Sequence, residues 1–413
     1  MFAELPVDIG RDQQALRIVV HDFSGFPFPV QLSRELARRG HSVLHLHCPS
    51  YLSGKGAVAR TAGDPPTFSV EPVELGGVFE KYTPGRRFRQ EREYGRRLAH
   101  RVHASRPDVI VSCDTPLLAQ QVLVSACSRI PFVFWQQDIY SVAMKREAER
   151  RLPVLGRLIG NRFLAMEQRM LERSQAVVTI AEDFRSELLD WGLSSERLHV
   201  IENWAPLAEL PVRGRDNEWA RRHGLVEKRV LLYSGTLGLK HNPGLLLRLA
   251  LAFRDEPDVC VVVVSEGVGA EWLRHEAAAQ GAENLIVLGF QPYEELPDVL
   301  ATGDILVAIL EREAGRFAVP SKVLTYLCAA RPLLAALPRE NLAATVVAGS
   351  GAGLLTEPDD ADGFVNAARK LLNDPILRTS MGAAARAYAE SRFDIEPIVD
   401  RFEEVLKLAV SPR

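Results

Sequence analysis

The sequence predicts an α/β chain made of two doubly wound parallel sheets, each covered by helices on both faces. Three observations carry that prediction. Short β-branched runs alternate with helix-length segments along most of the 413 residues, the pattern of parallel strands joined by crossover helices. The alternation breaks once, at the irregular segment 203–216, and then restarts in the same form. The length also exceeds what one hydrophobic core supports, so two or three domains are expected.

The first series opens with Leu16–His21, a short apolar run followed by a Gly/Pro loop. Helix spacing then runs from Val30 to Arg39 and stops at Gly40, with arginines in the last turn to complement the helix dipole. Ser42–Cys48 reads as a strand, as do Val109–Ser112, Phe132–Trp135, Ala176–Ile180 and Leu198–Ile201, with helices over 117–128, 154–173 and 183–191 between them. The second series has strands Arg229–Tyr233, Val259–Val264, Ile286–Leu288, Ile305–Ile309 and Leu333–Ala335, with helices over 243–254, 270–280, 293–302 and 321–330. The unbroken apolar runs fit strands buried on both faces. Ala387–Asp394 and Ile398–Leu408 give terminal helices.

Composition narrows the function classes. Hydrophobic residues make up 47% and charged residues 25%, as in soluble globular enzymes. No uninterrupted apolar run is long enough to span a bilayer, and Met1–Asp12 lacks the apolar core of a secretory signal. Cys48, Cys113, Cys127, Cys260 and Cys328 are scattered within apolar runs, which predicts buried thiols rather than disulfides or a zinc site. These features predict a cytoplasmic protein. The net charge of −3 conceals an asymmetry: residues 1–200 hold 27 Lys and Arg against 23 Asp and Glu, the remainder 23 against 30. The basic excess concentrates in 86–106 and 145–173. It is read either as solvated helix faces or as peripheral contact with an anionic membrane surface. Nucleic acid is not expected, because the basic runs lack interleaved aromatics.

In open α/β sheets, ligands sit beyond the carboxyl ends of the strands, so the loops there are the candidate site. Asp22–Pro29 follows the first strand and carries Gly25. Ser234–Pro243 offers Gly235, Thr236 and Lys240 ahead of a helix, amides and a point charge suited to phosphate. Val264–Gly269 brings Glu266, and Gly289–Tyr293 brings Phe290, which sits beside a nucleobase or in the core. Pro320, Ser321 and Lys322 open a helix that is otherwise apolar. A cation at that end opposes the helix dipole unless an anion sits there too.

In order and spacing these segments resemble the glycosyltransferases of GT-B fold, family 4 (group 1), over nearly the whole chain. Gly40–Val43, Ile180–Phe184, Val200–Trp204, Ser234–Gly238, Ser265–Gly269, Leu288–Phe290, Ala301–Asp304 and Ala329–Pro332 carry the likeness. Trp135–Tyr140 and Pro320–Leu327 are similar to bacterial transferases that build exopolysaccharide, colanic-acid-like or O-antigen sugars. The resemblance implies two Rossmann-like domains facing across a cleft, 1–205 on the acceptor side and 206–392 on the nucleotide-sugar side. A helix in 393–413 would cross back to the first domain. It further implies retaining transfer from a GDP- or UDP-linked sugar to a glycan or a polyprenyl-diphosphate-linked acceptor, with no cofactor and no obligatory metal. Lys240, Ser321 and Lys322 would meet the diphosphate, and Gly25, Gly235, Thr236, Glu266, Phe290, Glu313, Pro320 and Thr325 would line the donor.

Two departures stand out. Many relatives carry two glutamates with seven residues between them where this chain has Phe317 and Thr325; Glu311 and Glu313 lie just upstream, leaving Glu313 as a substitute for the ribose contact. Relatives also have His-Asp where this chain has Gln137–Asp138, so Asp138 is the remaining titratable group there. A nucleotide-sugar 2-epimerase of the same fold, a phosphorylase-like enzyme and a non-catalytic partner of another transferase stand as alternatives.

Overall fold

The computed structural model describes residues 15–80, 83–238, 241–312 and 321–411. The first lobe contains β1 (Arg17–Asp22), β2 (Ser42–His47), β3 (Phe68–Pro72), β4 (Val109–Cys113), β5 (Phe132–Gln136), β6 (Ala176–Thr179) and β7 (Leu198–Val200). They form one sheet in the order β3-β2-β1-β4-β5-β6-β7. The second lobe contains β8 (Arg229–Ser234), β9 (Val259–Val264), β10 (Leu285–Leu288), β11 (Ile305–Ile309), β12 (Leu333–Ala336) and β13 (Gly353–Thr356), ordered β10-β9-β8-β11-β12-β13. Every pairing recorded in both sheets is parallel, so helices must cover the faces.

The central strands explain themselves. Val259–Val264 is buried along its whole length, as are Ile305–Ile309 and Val109–Cys113, and β-branched residues fit a pleated surface packed on both sides. Edge strands β3 and β13 are half exposed and less apolar, and sequence periodicity did not reveal them. Five helices among the described residues go beyond the sequence reading, Glu218–Arg222, Leu342–Ser350 and Ala361–Asn373 among them, and the helix expected over 387–394 is the end of a longer one, Pro375–Arg392. Pro84–Ser105 is long and largely charged, and Tyr140–Arg151 pairs with Pro153–Arg173 as a hairpin. The helix Pro27–Arg38 starts three residues before the expected Val30, because its prolines occupy the first turn, where no N–H partner is lost. The helix expected over 321–330 spans Lys322–Cys328. It stops short because Ala330 takes a left-handed φ of 54° ahead of Arg331 and Pro332.

The last helix, Ile395–Val410, packs on the first lobe. Arg39 donates to Asp400 at 2.6 Å and to the Glu396 carbonyl at 2.9 Å, and His41 Nε2 lies 3.3 Å from Glu403. Beneath these polar links, Trp135 of β5 stacks on Trp204 at 5.8 Å, and Phe402 meets Trp135 edge-on at 4.7 Å. One aromatic cluster thus joins the first sheet, the interlobe segment and the terminal helix. All five cysteines are buried and free, and among the described residues no helix is long and apolar enough to cross a membrane.

Candidate functional site

Each sheet reverses its winding once, between β1 and β4 in the first lobe and between β8 and β11 in the second. The crevice at such a switch point is where open α/β sheets bind ligands. Among the described residues, Gly25 follows β1 at the first of these places and Gly235 and Lys322 lie at the second, with Glu266, Phe290 and Asp138 after strands further out along the same edges.

In the second lobe the register puts Ser234 beside Val264 and Val264 beside Leu288. The loops that begin at Gly235, Ser265 and Gly289 therefore leave the sheet side by side. Glu266 reaches across to the third loop, where its Oε1 accepts the Phe290 N–H at 3.1 Å, so two of the sequence candidates meet directly. Gly235 holds a φ of +133°, and a Cβ placed on it would stand 3.2 Å from Lys322 Cε. The glycine is thus required twice, by its backbone angle and by the lysine that lies over it.

Lys322 lies across the ring of Tyr233, its ammonium 3.9 Å from the centroid, and donates to the Tyr233 hydroxyl. That hydroxyl in turn donates to the Thr236 carbonyl at 2.9 Å, fixing the turn of the glycine loop. Burial pushes the Tyr233 phenol well above its ordinary pKa, so it stays neutral and available as both donor and acceptor. One helical turn beyond Lys322, the Tyr326 hydroxyl accepts the Ser234 N–H at 2.8 Å and donates to the Ser234 carbonyl at 2.9 Å. Both backbone groups at the end of β8 are thereby satisfied by the helix that carries the lysine. Ser321 precedes that helix without a side-chain capping bond, and Thr325 is half-buried on it. His241 secures the far side of the loop, its Nδ1 accepting the Gly238 N–H at 3.1 Å. Lys240, Glu313, Phe317 and Pro320 lie outside the described residues.

In the first lobe the register aligns Asp22 with Cys113 and Cys113 with Trp135. The loops at Phe23, Asp114 and Gln137 thus share one edge. Asp22 is fully buried and accepts the backbone N–H groups of Ser24, at 3.1 Å, and Phe26. Burial, reinforced by Asp114, pushes its carboxyl well above the usual range. Asp114, at a left-handed φ of 46°, accepts from Ser24 Oγ and from the Tyr140 hydroxyl, the latter at 2.7 Å. A small pocket behind these groups is lined by Asp114, Gln136, Asp138, Tyr140 and Glu167. Glu167 accepts the Ser141 N–H at 3.0 Å and faces Gln136 Nε2 at 3.5 Å, and burial pushes its carboxyl up to about 7. Asp138 therefore lines a small pocket shared with two other carboxyl groups, Asp114 and Glu167.

Gly25 has a different surrounding. Its carbonyl accepts the Gly56 N–H at 2.8 Å, and Val58 and Lys55 fill the space where its Cβ would stand. The 53–58 segment thus accounts for a glycine at that place. Lys55 itself donates to the carbonyls of Cys48 at 3.1 Å and Tyr51 at 2.9 Å, tying that segment to the end of β2.

Tyr233, Tyr326, Asp22, Asp114 and Glu167 were not among the sequence candidates. Tyr326 was within reach of sequence reasoning, since it lies four residues after Lys322 and so on the same helical face. Among the described residues no group of three or more His, Cys, Asp or Glu is placed to hold a metal ion.

Comparison with known proteins gives two family matches in tandem. The family described as Glycosyltransferase Family 4 matches residues 28–209, and the family described as Glycosyl transferases group 1 matches residues 216–388. A colanic acid biosynthesis glycosyl transferase of Escherichia coli (strain K12), WcaI, is 26% identical over 242 residues, and the match spans 58% of each protein. A D-inositol 3-phosphate glycosyltransferase of Kineococcus radiotolerans is 27% identical over 304 residues, 69% of this chain and 67% of that one. Among solved structures, Anabaena HepE in complex with UDP and glucose superposes with a TM-score of 0.69 at 18% identity, covering 95% of this chain and 99% of that one. WaaG, a glycosyltransferase involved in lipopolysaccharide biosynthesis, gives 0.66 at 15% identity over 94% and 99%. At those identities the superpositions establish the fold.

Proposed function

Because this chain belongs to the GT-B glycosyltransferases that join a Family 4 domain to a group 1 domain, we propose that it is a retaining transferase. Its donor is a UDP- or GDP-linked sugar, and its acceptor is a glycan or a polyprenyl-diphosphate-linked sugar in surface polysaccharide synthesis. The observation that carries the reading is the seat of Lys322, beside Gly235 and against Tyr233 at the switch point of the second sheet. A lysine held there, next to loop amides, suits a diphosphate.

The roles follow from charge. In the transfer, the bond between the anomeric carbon and the phosphate oxygen breaks and the bond to the acceptor oxygen forms on the same face. The acceptor's proton passes to the departing phosphate oxygen. Negative charge grows on the diphosphate, and Lys322, together with Lys240, meets it; preorganised donors of this kind supply much of an enzyme's rate enhancement. Glu266 braces the Phe290 loop, which frames the nucleobase. Ser321 and Thr325 stand on the same side as Lys322, and Glu313 takes the place of the ribose-binding glutamate. Asp138 orients the acceptor hydroxyl. The reaction proceeds without an obligatory metal or cofactor, in the cytoplasm, at the inner face of the membrane.

The test is transfer from radiolabelled UDP- and GDP-sugars to a bacterial lipid extract, with and without chelator. The anomeric configuration of the product is read by proton NMR. Labelled lipid that forms in the presence of chelator, and falls more than tenfold (about 1.4 kcal/mol) in Lys322→Ala, supports the reading. Conversion of the donor without any acceptor would replace transfer with epimerisation, and wild-type rates in a folded Lys322→Ala would remove the phosphate assignment.

A further inference from the structure

The helix hairpin formed by Tyr140–Arg151 and Pro153–Arg173 has an apolar tip that the rest of the described chain does not cover. Leu155 is 61% exposed and Leu158 is 70% exposed, with Leu152 and Ile159 beside them. Positions 155, 158, 159 and 162 share one helical face, so the exposed side chains form a stripe and end at the exposed Arg162. Isolated exposed leucines need no explanation, but a contiguous patch rimmed by charge marks an interaction surface.

The chemistry of the rim selects the partner. Exposed Arg162 closes the stripe, and on the hairpin's other helix Arg150 is bound to Glu147 at 2.8 Å. The neighbouring helix Pro84–Ser105, in contact through Phe88 and Phe163, adds exposed Arg89, Arg92 and Arg96 at one-turn spacing. Apolar side chains at the centre with arginines around them match the layering of an anionic bilayer, acyl chains below and phosphates above.

The two helices of the hairpin are also closely packed. A Cβ on Gly156 would stand 2.0 Å from the Ala148 carbonyl oxygen, and one on Gly160 would stand 2.5 Å from Lys145 Cγ, so the two helices meet at backbone distance. Its root is the acceptor edge itself. Tyr140, the first helical residue, bonds Asp114, and Asp138 lies two positions earlier. At 1.5 Å per residue, the tip lies about 18 Å from that root.

We infer that this hairpin is a membrane dock, whose leucine stripe enters the headgroup layer of an anionic phospholipid bilayer and so sets the acceptor loop at the height of a lipid-linked sugar. The dock rests on the proposed lipid-linked acceptor for its purpose, but its test does not depend on transfer. Full-length protein is sedimented with phosphatidylcholine vesicles, with and without phosphatidylglycerol, alongside light scattering in solution. Binding to the phosphatidylglycerol vesicles should weaken more than tenfold in Leu155→Glu/Leu158→Glu and, separately, in Arg92→Glu/Arg162→Glu. Stabilisation by nucleoside diphosphate should stay at the wild-type level in both, which separates loss of the dock from loss of the donor site. Three results would overturn the inference: wild-type protein that stays in the supernatant at low salt, both variants binding vesicles as the wild type does, or a wild-type dimer that the leucine variant dissociates. In the last case a second copy of the chain covers the stripe.

Discussion

Gly235→Ala tests the donor site at its tightest point. The residue sits at a φ of +133°, and the added methyl would press on Lys322 Cε at 3.2 Å and on Nζ at 3.6 Å. Two costs follow. Backbone strain in a glycine-only region is about 1–3 kcal/mol. The lysine must also shift from its place against Tyr233, and its helix is pinned to β8 by the two Tyr326 bonds, so the side chain alone has to give. A charge-assisted hydrogen bond to phosphate is worth about 1.5–3 kcal/mol, so losing it weakens UDP or GDP binding by roughly 10- to 150-fold.

A matched control separates strain from collision. Gly281 also has a left-handed φ, 65°, at the end of the helix Val268–Gln280, with nothing within 4 Å of its built Cβ. Gly281→Ala should lose about 1–2 kcal/mol of stability and keep its nucleotide affinity. Titration calorimetry with UDP and GDP, together with unfolding curves, reads both effects. If Gly235→Ala acts through the lysine, adding it to Lys322→Ala should cost little more affinity than Lys322→Ala alone, because both remove the same contact. A folded Gly235→Ala that binds with wild-type affinity, or a fully additive double variant, would refute the placement of phosphate beside Lys322.

Further outcomes are expected elsewhere. Glu167, whose carboxyl burial pushes from 4.5 up to about 7, takes up a proton on folding between those values, so its contribution favours the fold at low pH and is lost as pH rises through 7. Glu167→Gln should therefore be more stable than wild type at pH 8, by about 3 kcal/mol at most, and equal to it below about pH 4.5, as read by urea unfolding. His21 and His47 are held by burial at about 3 and about 4, against 6.5 when unfolded. The unfolded chain binds more protons below 6.5, so urea midpoints of Glu167→Gln, which lacks the opposing carboxyl, should fall more steeply than wild type between pH 6.5 and 5. Phe402→Ala removes a fully buried ring that packs edge-on against both Trp135 and Trp204 and should cost about 3–5 kcal/mol in denaturant unfolding. Asp138→Asn should lower turnover while leaving UDP and GDP affinity within about twofold, a split characteristic of a group that acts on the acceptor.

The fold was readable where the chemistry of burial is uniform. Strands such as Val259–Val264 are covered on both faces and so appear as unbroken apolar runs, with glycine and proline marking their ends. Phe68–Pro72 and Gly353–Thr356 escaped because these two edge strands are half exposed and carry polar or small residues in place of an unbroken apolar run. Tyr140–Arg151 escaped because it packs on another helix through small residues rather than on a sheet through a broad apolar stripe. Lys322 was readable as a cation where the helix dipole disfavours one, and the expected loops at Gly235, Glu266 and Phe290 do leave neighbouring strands. The Tyr233 contact with Lys322 and the Asp22–Asp114 pairing were not, because each depends on the register of segments about ninety residues apart, which no local pattern encodes.

The two edges are braced in different ways, and the difference bears on how the lobes work together. On the donor side every brace described above is internal to the second lobe: Tyr233 and Tyr326 fix Lys322 and the end of β8, and Glu266 fixes the next loop. On the acceptor side, the strand that ends at Gln136 rests on Trp135, whose ring lies against Trp204 of the interlobe segment and Phe402 of the terminal helix. Trp204 is fixed in turn by its bond to Gln31 at 2.7 Å, and Arg386 of the second lobe grips the carbonyls of both Leu210 and Cys328. Rotation about 203–216 would therefore leave the Lys322 seat unchanged and act first on the packing under Gln137 and Asp138. Among the described residues, the Lys322 seat is braced within the second lobe, whereas the loop at Gln137 rests on packing shared with the interlobe segment and the terminal helix.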